Sequence, residues 1–212
     1  MQEMIKIPLK GNPSVVLKAI PGHFITPNSH VNYYLDMTTI KSRLSEASAA
    51  AKEISRMIEA TTIVDTIVCM DGCEIIGAYL AEELSKAGII SINYHKTIYI
   101  TTPEVASTGQ FLFRDNIQPM IKGKNVLLLM ASATTGQTII KATQALRYYG
   151  ANISGISAVF SAANSSMGIP IKSLFTIKDI PDYKAYAPEG CSMCRDKKVI
   201  DAFANAFGYS SI

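Results

Sequence analysis

The sequence predicts an α/β protein whose mostly parallel sheet carries helices on both faces. Continuous apolar runs of strand length recur along the chain, and segments with helical spacing of apolar residues alternate with them. Glycine-bearing turns join strands to the helices that follow, as at Gly72 and Gly136. Strands buried on both faces show such unbroken apolar runs, and parallel strands need crossover helices. We therefore expect ligands at the carboxyl ends of the strands.

The clearest strand–helix unit lies at residues 125–150. We expect a buried strand at 126–130, a hydroxyl-rich loop at 131–137 and a helix that ends at Gly150. Free N–H groups at the helix start, and the positive end of the helix dipole, then point to one spot outside the strand. Thr134, Thr135 and Thr138 add hydroxyl groups there, and Gly136 allows an anion to approach the backbone. The unit predicts a phosphate site, with a ligand-free helix cap as the alternative.

The remaining elements follow from the same patterns. Residues 1–34 place several prolines among short apolar runs, which favours extended segments and turns. Helical spacing predicts helices at 42–60 and at 72–88, the second ending at Gly88. Apolar or alternating runs predict further strands at 62–71, 90–102, 153–164 and 169–180.

Composition limits the classes of function. The 212 residues carry a net charge of +3 and 17% charged side chains, which gives no basic surface of the kind that binds nucleic acid. Apolar runs stay short of the roughly 18 residues that a membrane span needs, and the first residues lack a signal-peptide pattern. Four cysteines fit a reducing compartment. We expect a cytoplasmic protein that binds neither nucleic acid nor membranes.

The central unit resembles the phosphoribosyl-diphosphate (PRPP) motif of the type I phosphoribosyltransferases. The stretch reads LLLMASATTGQT, in which Thr134, Thr135, Gly136 and Thr138 match the second half of the motif. Two more stretches resemble the orotate phosphoribosyltransferases, GHFITPNSHVNYYLDM at 22–37 and MGIPIKSLFTIKDI at 167–180. The resemblance covers nearly the whole chain. It implies a type I phosphoribosyltransferase fold in a single domain, with a core at about residues 42–180 and a small hood from 1–41 and 181–212.

The resemblance also implies three groups of ligand-binding residues. The 5′-phosphate would be held by Ser132, Ala133, Thr134, Thr135, Gly136, Gln137 and Thr138. The diphosphate would face Met70, Asp71, Gly72, Cys73, Glu74 and Lys96. The base would lie beside Phe24, Tyr33, Tyr34 and Ser161. The residues themselves leave alternatives open, since Asp71 can cap the next helix, Lys96 can be solvated, and the tyrosines can be packing residues.

The chain departs from the family at two places. Met130 and Ala131 replace the acidic pair that, in the family, holds the ribose hydroxyls and organises magnesium. Residues 101–110, where the family carries a lysine and a histidine, contain no base and one acid, Glu104. The resemblance implies transfer of a 5-phosphoribosyl group from PRPP to a nucleobase with release of diphosphate, using magnesium if the chain is catalytic. The alternative is a non-catalytic relative that binds a nucleotide or ribose phosphate as a sensor or regulatory protein.

The C-terminal tail, residues 182–208, contains a pair of cysteines with metal-ligand spacing, Cys191 and Cys194. Zinc needs two more ligands, and no second Cys-x-x-Cys or Cys-His pair lies nearby in the sequence. Cys69 and Cys73 would supply them only if the tail folded back over the second strand end. We therefore predict no metal site and interpret the tail as a structural lid or a dimer contact. The family usually forms homodimers, and the resemblance implies a homodimer here.

Overall fold

The computed structural model describes residues 3–86, 92–93 and 97–212. Its strands, in chain order, are β1 (Ile5–Leu9), β2 (Asn12–Ile25), β3 (His30–Asp36), β4 (Thr66–Cys69), β5 (Tyr99–Thr101), β6 (Glu104–Val105), β7 (Phe111–Leu112), β8 (Asn125–Ala133), β9 (Asn152–Ser161), β10 (Ser165–Ser166), β11 (Ile169–Thr176), β12 (Ala185–Tyr186), β13 (Ala202–Asn205) and β14 (Gly208–Ser211). The α-helices are α1 (Thr38–Ser42), α2 (Leu44–Met57), α3 (Glu74–Ser85), α4 (Gln137–Tyr148) and α5 (Ser192–Arg195).

The central sheet has the strand order β10-β11-β9-β8-β4-β5. Its pairings in the described part of the chain are parallel, apart from the short edge strand β10, which runs antiparallel to β11. β8 lies inside the sheet, with Leu128 opposite Val68 of β4 on one side and Ile156 of β9 on the other. The predicted mostly parallel sheet is confirmed.

Helices cover both faces of this sheet. Leu127 and Leu129 of β8 pack in one hydrophobic cluster with α2 and α3, whereas Leu128 and Met130 pack in a second cluster with α4. Successive side chains of a strand point to opposite faces, so a strand covered on both sides must be apolar at every position. This explains the unbroken apolar run in the sequence and confirms the prediction of helices on both faces.

The two ends of the chain form a second sheet, the terminal sheet, made of β1–β3 and β12–β14. β13 pairs in parallel with the end of β2, with Ala202 opposite Phe24. The register of β2 against β3 shifts between Pro21 and Phe24. Proline has no N–H to give to a ladder, and it is therefore confined to edges and irregular positions of sheets. The terminal sheet brings the tail next to the N-terminal hairpin.

β8 is longer than the sequence predicts. It runs to Ala133 because Ser132 and Ala133 still pair with β9. Only residues 134–136 then separate the strand from α4. The shortened connection holds the start of α4 directly at the carboxyl edge of the central sheet.

Other predicted boundaries also differ from the structure, and the predicted helix at 42–60 and strands at 62–71 and 153–164 are observed as Leu44–Met57, Thr66–Cys69 and Asn152–Ser161. β11 ends at Thr176, whose side chain caps a 3-10 helix at Ile177–Asp179. α3 ends at Ser85, and the predicted stop at Gly88 lies outside the described residues. Of the strand predicted at 90–102, residues 92–93 and 97–102 are described, and β5 within this range forms the edge of the central sheet.

Among the described residues, no helix combines the length and the apolar character needed to cross a membrane.

Candidate functional site

A cleft of about 410 Å³ opens between the carboxyl edge of the central sheet and the terminal sheet. Its walls come from the β8–α4 connection, from β3, from the β6–β7 hairpin and from the turn between β13 and β14. Of the described residues that line it, Lys41 and Asp71 are the ones with charged side chains.

The start of α4 forms one wall of the cleft. The structure brings the predicted 5′-phosphate residues together there: Ser132, Ala133, Thr134, Thr135, Gly136, Gln137 and Thr138 all line it. Gly136, the residue before the helix, has a φ of 77°, and no side chain caps the helix start. A residue with a Cβ atom is strained in this left-handed conformation, whereas glycine is not. The N–H groups of the first helical turn have no acceptor within the helix and suit an anion in the cleft.

Lys41, near the end of α1, joins two walls of the cleft. Its Nζ donates hydrogen bonds to the carbonyl oxygens of Asp71 at 2.8 Å and Ala206 at 2.9 Å. An ammonium group has three N–H donors, so the same side chain can also donate to a ligand. No motif in the sequence marks Lys41, because its contacts are with residues 30 and 165 positions away along the chain.

Asp71 supplies the carboxyl group of the cleft. Its φ of 59° lies in the left-handed region, which aspartate tolerates better than most residues. Burial raises the pKa of Asp71 above its ordinary value of 3.8; Lys41 and a hydrogen bond from the backbone of Ala131 oppose this rise, and Glu74 adds to it. The folded protein therefore holds this proton more tightly than the unfolded chain does.

We expect Asp71→Asn to raise the free energy of unfolding at neutral pH. The pKa of Asp71 is higher in the folded state than the value of 3.8 in the unfolded chain. The free energy of unfolding therefore falls as pH rises from 3.8 through the pKa of the folded state, and the whole loss is present at higher pH. An asparagine keeps the left-handed conformation and an acceptor for Ala131, but carries no charge. Urea titrations at neutral and acidic pH measure the effect, and the gain should vanish in acid.

Asp182→Asn is the matched control for this prediction. Asp182 also has a positive φ, 52°, but its side chain is exposed. Equal gains at Asp71 and Asp182, or a gain at Asp71 that persists in acid, would contradict burial of the charge as the cause.

The cleft does not fit a magnesium ion held by the protein. Mg²⁺ demands near-octahedral oxygen coordination and is usually bound through one or two carboxylates, with water and phosphate oxygens completing the set. The side chain of Met130 belongs to the core beneath α4, and Ala131 offers no side-chain oxygen. Asp71 is the remaining carboxyl group among the described lining residues, and its burial disfavours the charged form that would bind a cation.

Tyrosines of β3 form the wall opposite α4. Tyr33 and Tyr34 line the cleft, as does Tyr183 from the tail. The rings of Tyr34 and Tyr209 lie 4.8 Å apart between centroids. Burial, with smaller contributions from Asp36 and Tyr209, raises the pKa of Tyr34 to about 12. The phenol is therefore protonated at neutral pH and can donate a hydrogen bond.

Two residues predicted for the base side lie elsewhere. Phe24 is fully buried in the small core of the terminal sheet, beside Ile20 and Val31. Val31 of β3 and Ala202 and Ala204 of β13 belong to the same core, so the returning tail helps to bury the ring. Ser161 is buried at the end of β9, where its hydroxyl group donates to the carbonyl oxygen of Ala163 at 2.6 Å.

The predicted diphosphate turn contributes only Asp71 to the described lining of the cleft. Met70 and Cys73 are buried in the two cores, since they continue the inward pattern of β4 and α3. Gly72 and Glu74 are exposed but do not line the cleft. Lys96 lies outside the described residues.

The β6–β7 hairpin borders the cleft with apolar side chains. Val105 and Phe111 line the cleft. Glu104, the acid of residues 101–110, accepts two hydrogen bonds of 2.7 Å from the Arg114 guanidinium. The Glu104 carboxylate is thus paired with a cation of the same chain.

The cysteine pair of the tail lies beside two histidines. Cys191 and Cys194 form one cluster of side chains with His23 and His30. Cys69 and Cys73, the partners considered from the sequence, are instead buried in the core that α2 and α3 share with the central sheet. The histidines are separated from the cysteines by most of the chain, so no local spacing indicates the cluster.

Comparison with known proteins gives a consistent picture. No family model matches the chain. An orotate phosphoribosyltransferase from Chlorobaculum parvum is 24% identical over 186 residues, which cover 86% of this chain and 87% of the relative. The crystal structure of orotate phosphoribosyltransferase from Aeropyrum pernix matches 76% of this chain and 88% of its own, with a TM-score of 0.53 and 20% identity.

A third match, the structure of Leishmania donovani UMP synthase, has a TM-score of 0.55 and 15% identity. It covers 76% of this chain, whereas this chain spans only 34% of the UMP synthase chain.

Proposed function

This chain has the type I phosphoribosyltransferase fold and an orotate-phosphoribosyltransferase-like sequence, and from that premise we propose that its cleft binds the 5′-phosphate of a phosphoribosyl compound. One observation carries the proposal. The whole predicted phosphate loop lines the cleft at the uncapped start of α4, with Gly136 in the left-handed conformation. Backbone N–H groups at a helix start, together with threonine hydroxyls, are suited to a phosphate group. The ligand is PRPP, a nucleotide or ribose 5-phosphate.

The sugar would lie against neutral groups. Where the resembled family has an acidic pair, this chain has the buried Met130 and Ala131. Each lost carboxylate removes a charged hydrogen bond worth about 1.5–3 kcal/mol to a ribose hydroxyl group. Binding through the phosphate, as a sensor or regulatory protein would use it, therefore needs fewer groups than catalysis does.

A second candidate is transfer of the 5-phosphoribosyl group from PRPP to a nucleobase with release of diphosphate. Lys41 favours it, because its ammonium group reaches the Asp71 turn, on the side where the resemblance places the diphosphate. A cation there would stabilise the charge that develops on the leaving group. Tyr33 and Tyr34 then remain as candidates for the base side.

Calorimetric titration with ribose 5-phosphate tests the first proposal, with Gly136→Ala as the key variant. We expect this variant to bind at least about tenfold more weakly, because a Cβ atom in the loop displaces the anion from at least one charged hydrogen bond. The protein has room for this Cβ atom, since the nearest atom is Ser166 Oγ at 4.0 Å, and the cost to the fold is the backbone strain of the positive φ. Free ribose, which lacks the phosphate, should not bind detectably to either form.

Gly123→Ala is the matched control. Gly123 has a φ of 70° and an open surrounding, so alanine there brings the same backbone strain. It precedes β8 and therefore lies near the amino ends of the strands, away from the cleft. If both variants lose affinity equally, or if the unmodified protein does not bind ribose 5-phosphate, the loop is not a phosphate site.

A transfer assay separates the two candidates. PRPP and magnesium are incubated with a panel of nucleobases, and diphosphate is measured. Release that depends on one base supports the transferase. Ribose 5-phosphate binding without any base-dependent release supports the binding protein.

We further propose a cytoplasmic location and a homodimeric assembly. A cytoplasmic location agrees with a phosphorylated metabolite as ligand, and a homodimer is the assembly that the resemblance implies. Fractionation of the source cells and light scattering of the purified chain test these two points.

A further inference from the structure

Four side chains that bind metals well converge beneath the terminal sheet. His23 lies in β2 and His30 begins β3. Cys191 directly precedes α5, and Cys194 lies within it. One ligand atom from each residue lies within 4.8 Å of every other. His23, His30 and Cys191 are buried, whereas Cys194 is exposed.

Four of the six distances between ligand atoms lie within about 0.4 Å of those in a tetrahedral zinc site. Zinc bonds of about 2.0–2.1 Å to nitrogen and 2.3 Å to sulfur place two nitrogens about 3.3 Å apart, and nitrogen and sulfur about 3.6 Å apart. Here His23 Nε2 is 3.2 Å from His30 Nδ1. Cys191 Sγ and Cys194 Sγ lie 3.7 Å and 3.6 Å from His23 Nε2, and Cys194 Sγ lies 3.2 Å from His30 Nδ1.

The surroundings of His23 hold its ring in the orientation that a metal ligand requires. The other ring nitrogen, Nδ1, lies 3.0 Å from the carbonyl oxygen of Lys198. A carbonyl only accepts, so Nδ1 carries the proton and the lone pair of Nε2 points into the cluster. Metal-binding histidines characteristically donate their second ring N–H in this way. The backbone N–H of His23 also donates to the Asp201 carboxylate at 2.7 Å, which holds the segment in place.

We propose that His23, His30, Cys191 and Cys194 form a structural Zn²⁺ site. Two sulfurs and two nitrogens in tetrahedral positions are the ligand set of structural zinc, and four protein ligands leave no position open for a substrate. Binding displaces the two thiol protons, and both imidazoles bind as neutral rings.

The proposed metal would clamp the tail onto the N-terminal hairpin. Apart from the metal, the tail is held by backbone pairings of only two residues each, β13 with β2 and β12 with β3, and by hydrogen bonds such as those of His23 to Lys198 and Asp201. By fixing α5 against β2 and β3, the ion would hold in place the β13–β14 turn, which lines the cleft at Ala206. Its role is to position the tail and is independent of which ligand the cleft takes.

The test uses the full chain, purified with a phosphine reductant, and measures bound zinc by mass spectrometry of the metal. We expect one zinc per chain. Replacement by Co²⁺ should give the visible bands of a tetrahedral ion and the charge-transfer band of a cobalt–thiolate bond. Chelator should expose both thiols of the pair to alkylation, whereas the zinc form protects them. Failure of the wild-type chain to take up zinc or cobalt would overturn the proposal.

Cys194→Ser is the variant of choice, since Cys194 is exposed and its loss should leave the fold intact. We expect its zinc affinity to fall at least about a hundredfold, because losing even the hydrogen-bond partner of a metal ligand costs roughly 10- to 100-fold. Cys69→Ala, which removes a thiol outside the cluster, should keep the wild-type zinc content. Unchanged affinity in Cys194→Ser, or an equal loss in Cys69→Ala, would contradict the assignment.

Discussion

Met130→Asp is expected to lower the free energy of unfolding by about 3 kcal/mol or more at neutral pH. The side chain of Met130 is fully buried in the cluster that α4 shares with β8 and β9. An aspartate there leaves a charge without a partner in an apolar core, or keeps a proton at the cost of a raised pKa. For a chain of this size, such a loss corresponds to a fall in Tm of roughly 6–12 °C.

The pH dependence identifies the cause of this loss. A buried carboxyl group has a higher pKa in the folded state, so its penalty starts as pH rises above the unfolded value of about 3.9 and grows towards neutrality. Urea titrations at neutral pH and at about pH 4 should therefore give a smaller loss in acid. Met130→Leu, which conserves volume, should cost less than about 1.5 kcal/mol at both pH values. A loss of Met130→Asp that does not depend on pH would indicate lost packing instead of a buried charge.

The same reasoning bears on the missing acidic pair. Carboxylates at Met130 and Ala131 would return acceptors for a ribose, and both positions border the cleft, but a carboxylate at position 130 would lie among the apolar side chains beneath α4. We expect no gain of transferase activity from the two acids alone, unless a lysine is also returned to residues 101–110. The β6–β7 hairpin presents apolar Val105 and Phe111 to the cleft and has no cation to close over a diphosphate.

Local patterns predicted the phosphate loop because strand, glycine turn and helix are adjacent in sequence. The apolar run of β8 and the periodicity of α4 determine where the loop lies, and each of its predicted residues lines the cleft. The path of β2 is a different case. Phe24 is buried where β2 pairs with both β3 and β13, and no local pattern in the sequence indicates the pairing with β13 from the other end of the chain.

Long-range pairings account for what the sequence did not reveal. Lys41 contacts the carbonyl groups of Asp71 and Ala206, which lie 30 and 165 positions further along the chain. His23 and His30 meet Cys191 and Cys194 only after α5 packs on the β2–β3 hairpin. Contacts of this kind depend on the tertiary fold, so the spacing of the residues along the chain carries no trace of them.

Lys41→Met is expected to weaken PRPP binding at least about tenfold more than ribose 5-phosphate binding. One charged hydrogen bond is worth about 1.5–3 kcal/mol, and each 1.4 kcal/mol is a factor of ten. Both ligands carry the 5′-phosphate that we propose binds at the loop before α4, whereas only PRPP carries the diphosphate that we propose lies on the Asp71 side of the cleft. The ratio of the two dissociation constants, measured by calorimetry in the same buffer, reports on that side alone.

Two further variants separate the charge of Lys41 from its structural role. Lys52→Met removes an equal charge from an exposed position on α2 and should leave the ratio unchanged. Lys41→Arg keeps the charge and should retain most of the preference for PRPP. Because the Lys41 ammonium also holds the carbonyl groups of Asp71 and Ala206, a purely structural role would weaken both ligands alike. If Lys41→Met leaves the ratio unchanged, the diphosphate does not bind on this side of the cleft. The strongest support for the transferase would then be lost.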